Sequence, residues 1–581
     1  MSLQENDNIA EHLYRASTAD FINIPGNPIA YWISKQVRAI FNEKKFGDYF
    51  DTEGQNKTTN NEKYLRYLWE VNLNTIGKGK RWIRCAKGGS FRKWEGNIEH
   101  LIDWSQETRD FYRKDHSARI IEEKFWFLEG ITWTDISSSN TGFRYLEEGC
   151  TYETTGPTLF INGMNIYFSL AFLNTPIASS FINILNPTYH VKVKDIRALP
   201  IVDGLSDTSH IELISKKLTI ISRIDWNSYE TSWGFSTLPL LNQENIQLTL
   251  NTSYQALRTH WSEITQEMQN LEQENNHIFI DAYGLQDELK PEVSLCEITL
   301  TCNPHYRYSG NLTGQEREER LQSDTIAELI SYIIGCMMGR YSLDREGLVY
   351  AHSGNEGFKA LVEEGAYTRF PADSDGILPL TSEAWFEDDI AARIEEFICT
   401  VWGAEHLEEN LQFIADSLCL AAIKSVKKGG ETSRETIRRY LSTQFFKDHL
   451  KTYKKRPIYW LFSSGKEKAF ECLVYLHRYN ETTLPRMRTE YVTPLLGQMD
   501  SRIERLRLQQ NEAETAEAKR IGKEIDNLTK QLTELRAFDD QLKHYADMRI
   551  PLNLDDGVKF NYSKFGTLLA EVKAISGDKA E

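Results

Sequence analysis

An apolar repeat near the C-terminus constrains the fold most closely. Its side chains recur every seven residues in two neighbouring lines, which hold Ile521, Leu528, Leu535, Leu542 and, beside them, Ile525, Leu532, Phe538 and Tyr545. Upstream, Met499–Ala513 alternates by four and three, whereas Glu512–Lys519 is weakly apolar. Because a sustained heptad repeat is typical of packed helices, these patterns predict a coiled-coil hairpin of two helices over residues 494–545.

The composition excludes two broad classes of protein. With 40% apolar and 12% aromatic residues, the 581-residue chain can bury large cores, which excludes wholesale disorder. Its 67 Lys and Arg against 84 Asp and Glu give a net charge of −17, which excludes a uniformly basic DNA binder. A local basic surface stays open, because binding depends on how the charge is distributed.

Cysteine, histidine and hydropathy patterns point to a cytoplasmic protein without a metal. The eight cysteines form no Cys-x-x-Cys pair, and no histidines have zinc-site spacing, so we expect free thiols and no metal site. No apolar run approaches the ~18 residues that a membrane helix needs. Residues 1–20 lack the hydrophobic core of a signal peptide. The expected partners therefore exclude a membrane.

The alternation of helical and strand patterns predicts a multidomain α+β chain. We expect a helical connector at 1–74, a mixed α/β domain at 75–200 and a helical linker at 201–294. A mainly helical domain should follow at 295–493, and then the hairpin with a tail at 494–581.

Individual elements follow from local signals. Pro157–Ile161 reads as a strand, and one helix should end near Asn174 before Thr175-Pro176 starts the next, which stops at Asn186. Gln255–Gln273 carries alternating acidic and amide residues, which favour a solvated helix face. The stripe from Ile326 to Met338 indicates a buried core helix that ends at Gly339.

The strongest local feature is a basic segment, Gly77–Trp94. It has no acidic residue and a local charge of +7, from Lys78, Lys80, Arg81, Arg84, Lys87, Arg92 and Lys93. Cations release counterions from phosphates, and glycines such as Gly88 and Gly89 let backbone N–H groups approach an anion. Trp82, Phe91 and Trp94 offer stacking faces or hold the loop rigid. The segment predicts a phosphate-binding loop; the alternative is a solvated loop paired with acidic residues elsewhere.

A second basic stretch runs from Lys424 to Arg456. It holds 11 cations against 3 acidic residues, a local charge of +8. Two such stretches in an acidic chain favour a polyanionic partner.

Enzymatic motifs largely fail. No glycine-rich dinucleotide turn or P-loop is present. Two turns, Asn186-Pro-Thr-Tyr189 and Asn303-Pro-His-Tyr306, approach the Asn-Pro-Pro-Tyr turn with which amino-methyltransferases hold a flipped base. Asn186, Tyr189, Asn303 and Tyr306 are thus alternative catalytic residues. Both turns lack the second proline, and the competing interpretation is a helix-terminating Asn-Pro turn.

Several longer segments resemble the PglX family of adenine-specific DNA methyltransferases from BREX phage-defence systems. The similar segments are 21–32, 86–94, 225–233, 328–343 and 456–490, the most specific being Arg456-Pro-Ile-Tyr-Trp-Leu-Phe-Ser-Ser-Gly-Lys466. They occur in order over most of the chain.

The resemblance implies a function for each region. Members of the family carry an N-terminal S-adenosylmethionine domain, a target-recognition domain and a helical C-terminal region. This chain resembles the last two, so no catalytic residue and no bound cofactor are expected in it. S-adenosylmethionine would serve an associated catalytic domain, in cis or in trans.

Residues 75–200 would then bind double-stranded DNA. Ser138, Asn140 and Arg144 are the candidate base readers by hydrogen-bonding capacity. Two alternatives remain: a self-sufficient S-adenosylmethionine-dependent methyltransferase that uses a degenerate Asn-Pro-x-Tyr turn, and an interaction scaffold whose hairpin docks other BREX subunits.

Overall fold

The computed structural model describes residues 24–25, 32–136, 140–202, 208–381, 383–426 and 430–577. Helices and several small sheets coexist in it, which confirms the predicted α+β class. The chain divides into two compact units. Unit 1 comprises residues 1–65, 77–226 and 261–309, and unit 2 comprises 66–76, 227–260 and 310–581.

Unit 1 is built from short helices, short strands and the greater part of two long helices. Its helices are α1 Lys35–Ile40, α2 Asn61–Tyr64, α3 Gln106–Lys114, α4 Ile166–Leu173, α5 Pro176–Leu185, α6 Val193–Arg197, α7 Thr208–Asn227, α8 Leu250–Tyr283 and α9 Pro304–Arg307. The strands up to residue 201 are β1 Lys44–Lys45, β2 Phe50–Asp51, β3 Leu65–Tyr67 (which enters unit 2 at Arg66), β4 Trp82–Ala86, β5 His100–Asp103, β6 Gly130–Thr132, β7 Arg144–Leu146, β8 Thr151–Tyr152, β9 Thr158–Ile161 and β10 Pro200–Ile201.

Two small sheets organise the strand-rich part of unit 1. One has the order β2-β9-β6-β7 and is antiparallel throughout. In the other, β4 lies between β5, its antiparallel neighbour, and β8, its parallel neighbour. Apolar side chains of β4 and β5, among them Ile83 and Ile102, are buried with Trp104 and Tyr112 in one cluster. Burial of this face fixes the strand register and so the position of the basic segment.

The helix pair α4 and α5 confirms the local signals. Asn174 follows the last residue of α4, and the Thr175 side chain accepts a hydrogen bond from the N–H of Ala178 with Pro176 in the first turn of α5. Within the described ranges no single helix has the length and apolarity to cross a membrane; α4 and α5 together, bent by 67°, pass the same test.

Two helical expectations need correction. Residues 44–67 contain β1, β2 and β3 besides α2, because the polar Thr- and Asn-rich stretch there forms turns rather than a continuous helix. Trp32 is exposed, whereas Val37, Ile40 and Phe41 of its predicted stripe are buried. Residues 1–23 and 26–31 of the predicted connector lie outside the described residues.

Unit 2 is mainly helical around one small sheet. Its further helices are α10 Gly314–Met337, α11 Phe358–Glu363, α12 Ile390–Trp402, α13 Leu407–Ala421, α14 Ser433–Tyr440, α15 Phe446–Thr452, α16 Thr483–Arg486, α17 Thr493–Glu512, α18 Thr515–Met548, α19 Val558–Ser563 and α20 Val572–Ser576. The antiparallel sheet has the order β11-β13-β12, from strands β11 Ile377–Pro379, β12 Tyr459–Ser463 and β13 Glu471–Tyr475. α10 confirms the predicted core helix.

The C-terminal repeat folds as two helices that run antiparallel. α17 and α18 are joined at residues 513–514, inside the weakly apolar stretch. Arg502 pairs with Glu524 at 2.8 Å, and Arg536 pairs with Asp500 at 3.2 Å. Met499 and Ile503 are buried with Leu528, Leu535 and other members of the repeat. The hairpin is confirmed; supercoiling of its helices stays a prediction.

Candidate nucleic-acid interface

A tight turn presents the first cations of the basic segment to solvent. The N–H of Gly77 donates to the Trp82 carbonyl at 2.9 Å, and the N–H of Lys80 donates to the Gly77 carbonyl at 2.9 Å. Gly79 has φ +79°, a left-handed conformation that glycine adopts without strain. The turn leads directly into β4, so a buried strand anchors it. We call Lys78, Lys80 and Arg81, all exposed, the cationic turn.

Arg81 is held in place at the base of this turn. Its Nε and Nη2 atoms donate to Asp103 Oδ2 at 3.1 and 3.0 Å, while its side chain stays 43% exposed. The Asp103 carboxylate is buried, so it orients the guanidinium without occupying its outer edge. Lys78 and Lys80 form no ion pair with a described residue. The turn thus combines one fixed cation with two free ones.

The next two cations are neutralised locally. Arg84 pairs with Glu147, and its side chain is 15% exposed. Lys87 lies 3.4 Å from Glu153 Oε2. Their charge therefore contributes little field at the surface.

Arg92 and Lys93 are buried and do not face solvent. Arg92 Nη2 donates to Asp225 Oδ2 at 2.8 Å and to the Ser222 carbonyl at 2.9 Å, and its Nε donates to the Glu95 carbonyl at 2.7 Å. Lys93 pairs with Glu272, whose Oε1 also accepts from Trp94 Nε1 at 2.7 Å. These cations bind the segment to α7 and α8.

This burial corrects the prediction for the end of the basic segment. A phosphate cannot reach Arg92 or Lys93 in this structure, and the alternative of pairing with distant acidic residues holds for both. The sequence missed Asp225 and Glu272 because Gln255–Gln273 looked solvated. A signal was present: Glu272 falls on the buried stripe of Met268, Asn275 and Phe279 along α8.

The glycines and tryptophans of the segment serve packing. A Cβ on Gly88 would lie 2.7 Å from the Thr155 carbonyl oxygen, and one on Gly89 would lie 2.7 Å from the Asn97 side chain. Trp82 and Trp94 are fully buried. Of the two roles left open for these rings, the structure favours rigidity over base stacking.

The candidate base readers occupy different environments. Asn140 is exposed, and its amide donates to Glu297 Oε1 at 3.3 Å. Arg144 is buried: its Nη1 donates to the Arg92 and Gly142 carbonyls at 3.2 Å, so it cannot reach a base edge here. Burial, aided by the Arg92 charge, lowers its pKa to about 10. Ser138 lies outside the described residues.

The two Asn-Pro-x-Tyr turns have structural roles. The Asn186 amide donates to the His190 carbonyl at 2.6 Å and to Asp195 Oδ2 at 2.8 Å. Asn303 is buried and caps α9, and its amide donates to the Leu295 and Ile298 carbonyls at 2.7 and 2.9 Å. Tyr306 donates its hydroxyl to the Phe91 carbonyl. Both amides are thus engaged by the protein itself, as expected for helix-terminating turns.

One cleft brings candidate residues together. Asn140, Phe91 and Tyr189 line an open cavity of about 750 Å³ within unit 1, and the Tyr189 side chain is 71% exposed. This volume lies within the range of ligand sites. The cleft therefore combines one candidate reader with exposed aromatic surface.

The arginines of the second basic stretch, in unit 2, are paired. Arg438 forms a two-pronged contact with the buried Asp389, Arg439 pairs with Glu431, and Arg434 bridges Glu395 and Glu408. Lys427 and Lys428 lie outside the described residues. The count of +8 therefore overstates the exposed charge of this stretch.

The Glu95 carboxyl gives unit 1 a pH-dependent stability. Burial raises its pKa from 4.5 to about 7, against the opposing hydrogen bond from Arg223 at 3.2 Å. Between these values the folded state holds a proton that the unfolded state has lost, so stability falls as the pH rises through this window. We expect a loss of up to about 3 kcal/mol that Glu95→Gln removes. Urea unfolding of both proteins across this pH range checks it; parallel profiles would contradict it.

All eight cysteines are free thiols in the structure. Among the described residues, no three His, Cys, Asp or Glu side chains are grouped so as to hold a metal ion.

Comparison with known proteins places these features in a family context. No family model matches the chain. The chain is 47% identical over 569 residues to the adenine-specific methyltransferase BrxX of Escherichia coli O9:H4 (strain HS), across 97% of this chain and 46% of that protein. It is 35% identical over 585 residues to the adenine-specific methyltransferase PglX of Lacticaseibacillus casei (strain Zhang), across 96% of this chain and 46% of that protein.

The chain thus spans about half the length of the curated relatives that it matches, and the predicted resemblance to PglX proteins is confirmed. Over nearly its whole length, this chain is a homologue of one region of the adenine-specific methyltransferases named BrxX and PglX.

Proposed function

We propose that this chain supplies DNA recognition to an adenine-specific DNA methyltransferase of the BrxX and PglX type. The observation that carries the proposal is the 47% identity to a protein of that name across 97% of the chain. In this proposal unit 1 binds double-stranded DNA and selects the site, in a cytoplasmic phage-defence system. Methyl transfer from S-adenosylmethionine belongs to a catalytic region outside the aligned 46% of the relatives.

The engaged amides of Asn186 and Asn303 support this division of labour. An amino-methyltransferase uses the amide of such an asparagine to accept from the exocyclic amine of the flipped base. Here each amide already donates two hydrogen bonds to the protein, and Asn303 is buried. Using either one for catalysis would require those bonds to break.

The cationic turn is the proposed phosphate contact. Lys78 and Lys80 are exposed point charges, and the Asp103 carboxylate holds the Arg81 guanidinium in one orientation. Phosphate contacts position a protein on a duplex, and base contacts then specify the site. Of the candidate readers, we retain the exposed Asn140.

Removing the two free lysines tests this contact. We expect the double variant Lys78→Ala, Lys80→Ala to bind a DNA duplex about tenfold more weakly near 100 mM salt, because each lost phosphate contact removes about one unit from the slope of log K against log salt. Fluorescence anisotropy measures both quantities. The matched control is Lys216→Ala, Lys217→Ala, which removes two exposed lysines of α7. A slope equal to that of the wild type would exclude the turn from the interface.

Calorimetry with S-adenosylmethionine separates this proposal from a self-sufficient enzyme. We expect no heat of binding to the chain alone. Clear micromolar binding would favour the self-sufficient methyltransferase instead.

A further inference from the structure

Four lysines cluster where α15 ends in unit 2. Lys447 and Lys451 are four residues apart, so they share one face of the helix, and Lys454 and Lys455 follow its last turn. All four are exposed. We call Lys447, Lys451, Lys454 and Lys455 the lysine cluster.

Local carboxylates do not neutralise this cluster. Within the described part of the chain, Lys447, Lys451 and Lys455 form no ion pair, in contrast to Arg434, Arg438 and Arg439. The nearest acidic side chain in sequence, Asp448, accepts from the Tyr440 hydroxyl at 3.0 Å and from Gln444 at 2.9 Å. Glu70 lies 3.9 Å from Arg456. The exposed charge of the second basic stretch is thus concentrated in these lysines.

The backbone after α15 holds two of the lysines in an unfavourable conformation. Lys454 and Lys455 have φ +50° and +58°, a region that suits glycine and costs energy for a residue with a Cβ. Their N–H groups donate to the Lys451 and Leu450 carbonyls, at 3.2 and 2.7 Å, and so close the helix. Glycine would fill either position at lower conformational cost. Strained residues of this kind gather at functional sites.

Like charges at this spacing add a further cost. Two lysines four residues apart on a helix repel each other. Lys451 also complements the negative end of the α15 dipole, but Lys454 and Lys455 lie beyond the helix. A cluster that is costly for folding in two ways indicates a bound anion.

We propose that the lysine cluster is a second DNA-binding surface, which takes the sugar-phosphate backbone of a duplex. The proposal rests on the function proposed above, because it adds phosphate contacts in unit 2 to those of the cationic turn. Exposed lysines on a helix and its end act as point charges, which suits a repeating row of phosphates. An acidic protein partner is the competing occupant, and the test separates the two.

Glycine substitution tests the cluster without destabilising the fold. We expect Lys454→Gly, Lys455→Gly to unfold at an equal or higher temperature than the wild type, because glycine relieves the left-handed strain. The same variant should bind a mixed-sequence duplex more weakly, with the salt slope smaller by up to about two units. Lys447→Ala, Lys451→Ala should give a similar loss of slope. The control is Lys523→Ala, Lys530→Ala, which removes two exposed lysines of α18.

Each outcome decides the question. A smaller slope in both cluster variants, with an unchanged control, supports the proposal. Wild-type slopes in both variants would overturn it and leave an acidic protein as the occupant to test. If the cationic-turn variant loses slope while the cluster variants do not, the second surface fails and the proposed function stands. If no variant changes the slope, both proposals fail.

Discussion

Replacing Arg92 with methionine should lower the free energy of unfolding of unit 1 by about 3–5 kcal/mol. The variant leaves the buried Asp225 carboxylate without its counter-ion, and it removes the donors to the Ser222 and Glu95 carbonyls. Methionine keeps much of the side-chain volume, so the loss reports on charge and hydrogen bonds rather than on a cavity.

Hydrogen exchange under native conditions measures this effect, because it resolves one unit of a multidomain chain. Peptides of α7 and β4 should lose protection in the variant. Lys80→Ala, in the exposed turn of the same segment, serves as the control and should change stability by less than about 0.5 kcal/mol. If Arg92→Met also stayed within that limit, the assignment of Arg92 to the interior would be wrong.

Arg438→Met should have an effect of similar size in unit 2, about 3–5 kcal/mol. Arg438 Nη1 and Nη2 donate to the two oxygens of Asp389 at 2.8 Å each, and Nη1 also donates to the Thr381 carbonyl at 2.9 Å. Asp389 is completely buried, so the variant leaves an uncompensated carboxylate.

The contrast with the lysine cluster makes this prediction specific. Peptides of α12 and α14 should exchange faster in Arg438→Met, whereas in Lys447→Ala, Lys451→Ala they should exchange as in the wild type. In duplex binding near the wild-type stability range the order should reverse, with the lysine variant weaker. A destabilising lysine variant and a neutral arginine variant would invert the roles that we assign.

Local sequence signals predicted several elements accurately. The break between α17 and α18, and the junction of α4 and α5 at Thr175, depend on residues near in sequence, such as a capping threonine followed by proline. Strand β12 was not predicted, and Gln255–Gln273 was assigned a solvated face. Both depend on contacts distant in sequence, which override local preference.

The candidate site shows the same limit in its charges. Seven cations without an acidic residue predicted a basic surface, and the cationic turn is exposed as expected. Arg92 and Lys93 look identical to Lys78 and Lys80 in a charge count. Their partners, Asp225 and Glu272, lie more than a hundred residues away. Only the fold distinguishes a cation that binds a carboxylate inside from one that faces solvent.

The most direct test of DNA recognition is equilibrium binding of the whole chain to duplex DNA between about 50 and 200 mM salt. We predict measurable binding that weakens steeply as salt increases, with a linear plot of log K against log salt whose slope is several units. Because the chain carries a net charge of −17, binding to a polyanion requires local cationic surfaces. Absence of binding at the lowest salt, or binding that salt does not weaken, would contradict the account.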